Sequence, residues 1–304
     1  RYRSLKAEGM DEKSIFHSFN QPVPMTVFSY HGDVDTVMTP LDSIKYYKSF
    51  LRSGLVSIDP SNGHVKAYVG GLDYTHFQYD MAIQGRRQVG STMKPFVYAL
   101  AMEEGYSPSD LVANVHRTYY VSGQPWAPRN GSHARYGQMV TLKWGLSQSN
   151  NWVTAGLMYQ IDPTGSKLKR YLGNFGVSNR DIHPSISLCL GTCDITVAEM
   201  ASAYTAFANR GMRCAPLLVT RIEDNEGNVV AEFTPRMNEV ISEQTSFYMI
   251  DMLRAVIDQG TGRRLRFKYQ FEGPIAGKTG TTNNNSDGWF VGFVPRLVTA
   301  CWVG

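Results

Sequence analysis

Three short segments of this chain carry side chains able to do covalent chemistry. In Ser91-Thr92-Met93-Lys94 a hydroxyl and an amine stand three residues apart, one helical turn. An amine at that spacing can take the proton of a serine that has no other base at hand. Ser149-Asn150-Asn151 supplies a second hydroxyl with a carboxamide two residues on, and Lys278-Thr279-Gly280 supplies a second amine. If the three converge, they form an acyl-transfer site in which Ser91 becomes a covalent ester.

None of these patterns is specific alone. Ser166-Lys167-Leu168-Lys169 repeats the Ser-x-x-Lys spacing, and Ser18-Phe19-Asn20 repeats Ser-x-Asn. Context separates them. Gly90 precedes Ser91, and Met93, Phe96, Val97, Leu100 and Ala101 then mark one helical face that stops at Gly105. Pro95 falls in the first turn, where a missing N–H is harmless. Ser91 therefore reads as the start of a core helix, where free N–H groups and the helix dipole favour negative charge. The simpler alternative is an N-cap serine. The polar run at 149–151 interrupts two helical, apolar stretches, which also fits a plain turn. Glycines at 277 and 280 let another backbone approach the Lys278 strand, which otherwise reads as a weak edge strand.

Elements that would position these residues are legible around them. Leu55–Ile58 and Val65–Val69 flank Asp59-Pro60-Ser61-Asn62-Gly63-His64 and read as a β-hairpin. A second hairpin is expected at 218–222 and 229–233, and a third at 275–282 and 289–293. Helices are expected at 197–209 and 243–258. Hairpins at both ends with helices between predict an α+β fold, an antiparallel sheet flanked by helices. Before it, residues 21–30 read as extended, and Thr39-Pro40 opens an amphipathic helix through Leu51. Residues 1–53 are expected to be a linker segment packing on a catalytic domain at 54–304.

Composition narrows the function. Of the 304 residues 42% are hydrophobic and 18% charged, enough for one large core. The net charge of +4, without basic runs, gives no case for nucleic acid. Seven scattered histidines show no ligand spacing, so no metal and no cofactor is expected. Cys189 and Cys193 either close a small disulfide loop or are two small buried residues, and Cys214 and Cys301 read as core thiols. No run of about 18 apolar residues is present. The chain opens on Arg1 and closes on an apolar run that reads as a strand caught before its end, so a fragment cut at both ends is expected.

The three motifs in this order resemble those of the penicillin-binding transpeptidase family, whose fold is shared with serine β-lactamases. The stretch Arg86-Arg87-Gln88-Val89-Gly90-Ser91-Thr92-Met93-Lys94-Pro95-Phe96 is similar to the nucleophile segment of the bifunctional, class A members. Lys278-Thr279-Gly280-Thr281-Thr282-Asn283 followed by Asp287-Gly288-Trp289-Phe290-Val291-Gly292-Phe293 is similar to their third motif and next strand. The resemblance covers nearly the whole chain. It implies a peptidoglycan D,D-transpeptidase that takes stem peptides ending in D-Ala-D-Ala and is acylated by β-lactam antibiotics. It also implies an upstream glycosyltransferase domain and a membrane anchor in the full protein, at the outer face of the bacterial cytoplasmic membrane.

By this resemblance Ser91 is the nucleophile and Ser149 relays a proton to the leaving nitrogen. Asn151 holds Lys94 and meets the substrate amide. Lys278, Thr279, Gly280 and Thr281 form the strand that receives the substrate, with the N–H groups of Ser91 and Thr281 as oxyanion hole. Lys94 must be neutral to act as base, and burial and the charge of Lys278 would both lower its pKa. A serine β-lactamase, a non-enzymatic β-lactam sensor and a D,D-carboxypeptidase are the alternatives. No Glu-x-x-x-Asn is present, which weighs against the class A lactamase. Trp126, in Pro125-Trp126-Ala127-Pro128, reads as a packed loop aromatic or as the rim of a groove.

Overall fold

Alternation of buried and exposed residues along the final strands defines the main sheet. In Leu297–Val303 the side chains of Val298, Ala300 and Trp302 are buried while their neighbours are not, the period of a strand with one covered face. The computed structural model describes residues 2–178 and 180–304. Five strands form the sheet: β1 (Ser53–Ile58), β2 (Val65–Val69), β3 (Ala276–Thr281), β4 (Gly288–Val294) and β5 (Leu297–Val303). Their spatial order is β3-β4-β5-β1-β2, and every neighbouring pair is antiparallel. The first and last strands thus meet at the centre, Val298 opposite Ile58 and Val303 opposite Ser53. The strand bearing Lys278 lies at one edge, where its outer side is open.

The principal helices are α1 (Lys94–Glu103), α2 (Leu142–Ser147), α3 (Asn151–Ile161), α4 (Val197–Ala208) and α5 (Glu243–Asp258); α1 and α2 pack on α5, and α3 packs on α1. Helix α4 packs on β1 and β5, and α5 on β3. Local chemistry sets their starts. Thr196 and Glu199 form a reciprocal capping box on α4, and the Ser242 hydroxyl accepts from Thr245 N–H on α5. Helix α1 is buried on every side from Lys94 to Met102, the signature of a helix threaded through a core. Gly105, with φ of +96°, turns the chain after it.

The contacts divide the chain into two units. Residues up to Arg52 gather with Asp73–Gln78, and Ser53–Leu72 gathers with the remainder. The smaller unit has a hairpin of Val23–Val27 and Val34–Met38 and a helix at Pro40–Lys48, capped by Thr39 as its sequence predicts. Its centre is aromatic: Phe28 meets Phe50 at 5.2 Å and Phe77 at 5.1 Å.

Two expectations shift. The hairpin expected at 218–233 is reduced to Arg221–Glu223 and Val229–Glu232 and forms its own two-stranded sheet. It has no buried residue, so nothing but the turn supports a longer ladder. Ser91 itself lies in a 3₁₀ turn, Gly90–Met93, that leads into α1. All four cysteines are free thiols, so of the two readings for Cys189 and Cys193 the buried pair holds.

The loop between β3 and β4 is fastened by Asp287, which is only 4% exposed. Its carboxylate accepts from Thr282 Oγ1 at 2.8 Å, Trp302 Nε1 at 2.9 Å and Arg87 Nε at 2.8 Å. Burial alone would raise its pKa, but these donors outweigh burial and hold the carboxyl below its usual range. The stabilisation is present above the ordinary carboxylate value and lost as pH falls through the depressed one. Asp287→Asn should therefore cost about 1–3 kcal/mol at pH 7, with the gap to wild type narrowing in acid. Urea unfolding across pH measures this, and equal stability at pH 7 would count against the role given to Asp287.

Candidate active site

The nucleophile segment is wedged between two backbones, and glycine permits it. Gly90 has φ of +52°, and a Cβ there would lie 2.8 Å from the Thr281 carbonyl oxygen. On the other side, a Cβ on Gly191 would lie 2.1 Å from the Gly90 oxygen. From the strand's side of the first contact, a Cβ on Gly280 would lie 2.8 Å from Thr92 Cγ2 and 2.9 Å from the Val89 oxygen. This is the close approach the glycines of the third motif predict. Tyr204 Oη donates to the Thr92 carbonyl at 2.7 Å, and the Thr92 hydroxyl donates to that of Val89 at 2.7 Å.

Lys94 begins α1 and is fully buried. Its Nζ donates to the Ser149 carbonyl at 2.5 Å and to Asn151 Oδ1 at 2.6 Å, and lies 3.2 Å from Ser149 Oγ. Ser149 sits in the turn between α2 and α3 with φ of +52°. This left-handed conformation costs a serine roughly 1–2 kcal/mol, and it presents both the carbonyl and the hydroxyl of one residue to Lys94. Asn150 caps α3 by accepting from Val153 N–H, and its Nδ2 donates to buried Asn114. Asn151 N donates to Asn130 Oδ1 at 2.9 Å, and Asn151 Nδ2 to the Arg129 carbonyl at 2.6 Å.

Lys278 is also fully buried. Its Nζ donates to Ser149 Oγ at 2.9 Å and to the Thr279 carbonyl at 2.9 Å. The two amines thus share one hydroxyl. Burial pushes Lys94 from 10.5 down to about 7. Lys278 is pushed well below the ordinary lysine value, by burial first and by the Lys94 charge second. A neutral Lys94 has two N–H bonds, and the Ser149 carbonyl and Asn151 Oδ1 satisfy both. Its lone pair is left to accept from a hydroxyl, and Ser149 Oγ stands 3.2 Å away. Ser149 Oγ has one proton and two lone pairs, so it can accept from Lys278 while donating to Lys94.

Ser91, Asn151 and Thr281 line a cavity of about 630 Å³ together with Trp126, Arg129 and Thr192. Trp126 packs on the core and also faces this cavity, so both readings of it hold in part. Lys94, Ser149, Lys278, Thr279 and Gly280 are not part of that wall. Ser91 is not among the hydrogen-bond partners of Lys94 Nζ. The repeated motifs fall elsewhere. Ser166 is exposed at the start of the helix Ser166–Asn174, where Lys167 pairs with Glu104, and Ser18 bonds the Ile15 carbonyl in the smaller unit.

Sequence reading missed Thr261, whose hydroxyl lies 2.6 Å from that of Thr279. Gly260-Thr261-Gly262 directly after a strong amphipathic helix marks a tight turn, but not its partner. It also missed Asn130 and the Arg129 carbonyl, which anchor Asn151.

With this geometry in view, comparison with known proteins defines the class. The model of the penicillin binding protein transpeptidase domain matches residues 53–301, and that of the penicillin-binding protein middle domain matches residues 1–51. The chain belongs to the penicillin-binding protein transpeptidase family, and its curated relatives are of the class A type that its nucleophile segment resembles. Penicillin-binding protein 1A of Aquifex aeolicus is 38% identical over 257 residues, covering 84% of this chain and 34% of the relative. That of Neisseria meningitidis is 35% identical over 262 residues, covering 84% and 32%. The solved penicillin-binding protein 1A of Haemophilus influenzae superposes with a TM-score of 0.78 at 29% identity, over 84% of this chain and 43% of that one. The PonA1 structure from Mycobacterium tuberculosis gives 0.69 at 26%, over 84% and 69%. This chain spans about a third of the length of the curated relatives it matches.

Cys189, fully buried in the core that also holds Lys94, has its thiol pushed up to about 12 by burial, and Cys193 likewise. Both stay uncharged at neutral pH. Thiol titration in denaturant should count four free thiols per chain, and the native protein should expose none of Cys189, Cys193 and Cys214. A count of two would restore the disulfide reading.

Proposed function

We propose that this chain is the D,D-transpeptidase part of a class A penicillin-binding protein, cross-linking stem peptides through an acyl-enzyme at Ser91. The observation that carries the proposal is the fully buried Lys94, its N–H bonds spoken for by Ser149 and Asn151, one helical turn from a serine that lines an open cavity. A lysine placed so is a base, because burial removes its proton near neutral pH.

In this mechanism Ser91 Oγ attacks the carbonyl carbon of the penultimate D-alanine and its proton passes to Lys94 Nζ. The tetrahedral oxyanion is met by the N–H groups of Ser91 and Thr281, each such donor contributing about 3 kcal/mol to the transition state. The C–N bond breaks, and the proton reaches the departing D-alanine nitrogen through Ser149 Oγ, which lies within 3.2 Å of Lys94 Nζ. An amine on a second strand then attacks the ester, forming the new amide and returning a proton to Ser91. Lys278, Thr279 and Thr281 hold the terminal carboxylate, and Gly280 gives the strand its close seat. Asn151 keeps Lys94 in place and offers its remaining N–H to the substrate amide. A β-lactam follows the first half of this path, its ring amide opening as the ester forms.

On this reading residues 1–53 join the catalytic domain, 54–304, to an upstream glycosyltransferase domain and membrane anchor, outside the cytoplasmic membrane. Among the described residues no helix is long and apolar enough to cross a membrane.

A fluorescent penicillin should label the wild-type chain covalently. Ser91→Ala should lose the label while Ser166→Ala keeps it. Persistent labelling of Ser91→Ala would sink the assignment, and rapid release of the label would favour a β-lactamase.

A further inference from the structure

Thr261 lies outside all three motifs, yet its hydroxyl is 2.6 Å from that of Thr279. Its turn is fixed on both sides. Thr261 N donates to the Ser147 carbonyl at 3.1 Å, and Gly262 N to that of Val256 at 2.9 Å. Gln148 Nε2 donates to the Gln259 carbonyl at 3.2 Å. A Cβ on Gly260 would lie 2.0 Å from the Ser147 oxygen, so only glycine lets the turn seat this closely. The turn is thus bolted to the end of α2, two residues before Ser149, and reaches from there to the strand of Lys278. It joins two motifs that are far apart in sequence.

We propose that Thr261 is a positioning residue for the carboxylate-binding hydroxyl of Thr279, and so for the anionic end of the substrate. This rests on the transpeptidase reading above. Two hydroxyls at 2.6 Å share one hydrogen bond, and a hydroxyl that accepts one bond donates the next more strongly. With Thr261 donating, the Thr279 proton is free to point at a carboxylate. Thr261 is held by backbone bonds that do not involve its side chain, so its hydroxyl can be removed without unfastening the turn.

The test compares acylation by benzylpenicillin with acylation by its methyl ester, which lacks the carboxylate. Thr261→Val should slow the acid about fivefold, the worth of one neutral hydrogen bond, and leave the ester rate unchanged. Thr261→Ser should restore the acid rate. Adding Thr261→Val to Thr279→Val should slow the acid no further than Thr279→Val alone. An unchanged acid rate in Thr261→Val overturns the proposal, as does an equal loss on acid and ester, which marks a merely structural turn. Absence of any acylation of the wild-type chain would instead overturn the transpeptidase reading beneath it.

Discussion

Two lysine amines buried around one serine hydroxyl form the constraint on which the rest of the structure depends. Lys94 and Lys278 are both fully buried, and Ser149 Oγ lies 3.2 Å from one and 2.9 Å from the other. Each amine loses its hydration on burial, and the charge of Lys94 further opposes that of Lys278. The cheapest escape is to release a proton. Between about pH 7 and the ordinary lysine value of 10.5, the unfolded chain keeps on Lys94 a proton that the folded chain lacks. Stability therefore rises with pH across that window as far as Lys94 is concerned. The fold accepts a weaker core near neutral pH and gains an uncharged amine one helical turn from Ser91.

Much of the architecture can be understood as holding that arrangement. Helix α1 is buried on every side, and its first residue, Lys94, is buried with it. Ser149 must show two oxygens to the amines, and it does so from a strained, left-handed turn. That strain is sustained because Asn150 caps α3, the turn end at Ser147 is gripped by Gly260 and Thr261, and Asn151 is anchored by Asn130 and Arg129. The sheet contributes an edge. Only an edge strand can carry Lys278 inward while its open side faces the cavity through Thr281.

Legibility in the sequence follows the range of the interactions. The helix start at Thr39, the helices from 197 and 243 and the hairpin at 55–69 depend on neighbours a few residues away, and these were readable, though the caps at Thr196 and Ser242 were not singled out. The antiparallel α+β plan was readable from the placement of hairpins and helices. That Ser91, rather than Ser166, begins a core helix was readable from the apolar face that follows it. Contacts between distant segments left no local trace. Thr261 is 18 residues from Thr279, and nothing in Gly-Thr-Gly says which hydroxyl it meets. Asp287 reaches back 200 residues to Arg87. The exposed hairpin at 221–232 was overread, because β-branched residues suggest strands whether or not a face awaits them.

The charge state of Lys94 decides whether it can serve as the base for Ser91. Its side chain, labelled with ¹³C at Cε, can be followed by NMR as pH is raised. The midpoint should fall near 7, far below the ordinary value of 10.5. A midpoint close to the ordinary value would mean that Lys94 stays protonated at neutral pH, and it would contradict Lys94 as the base for Ser91.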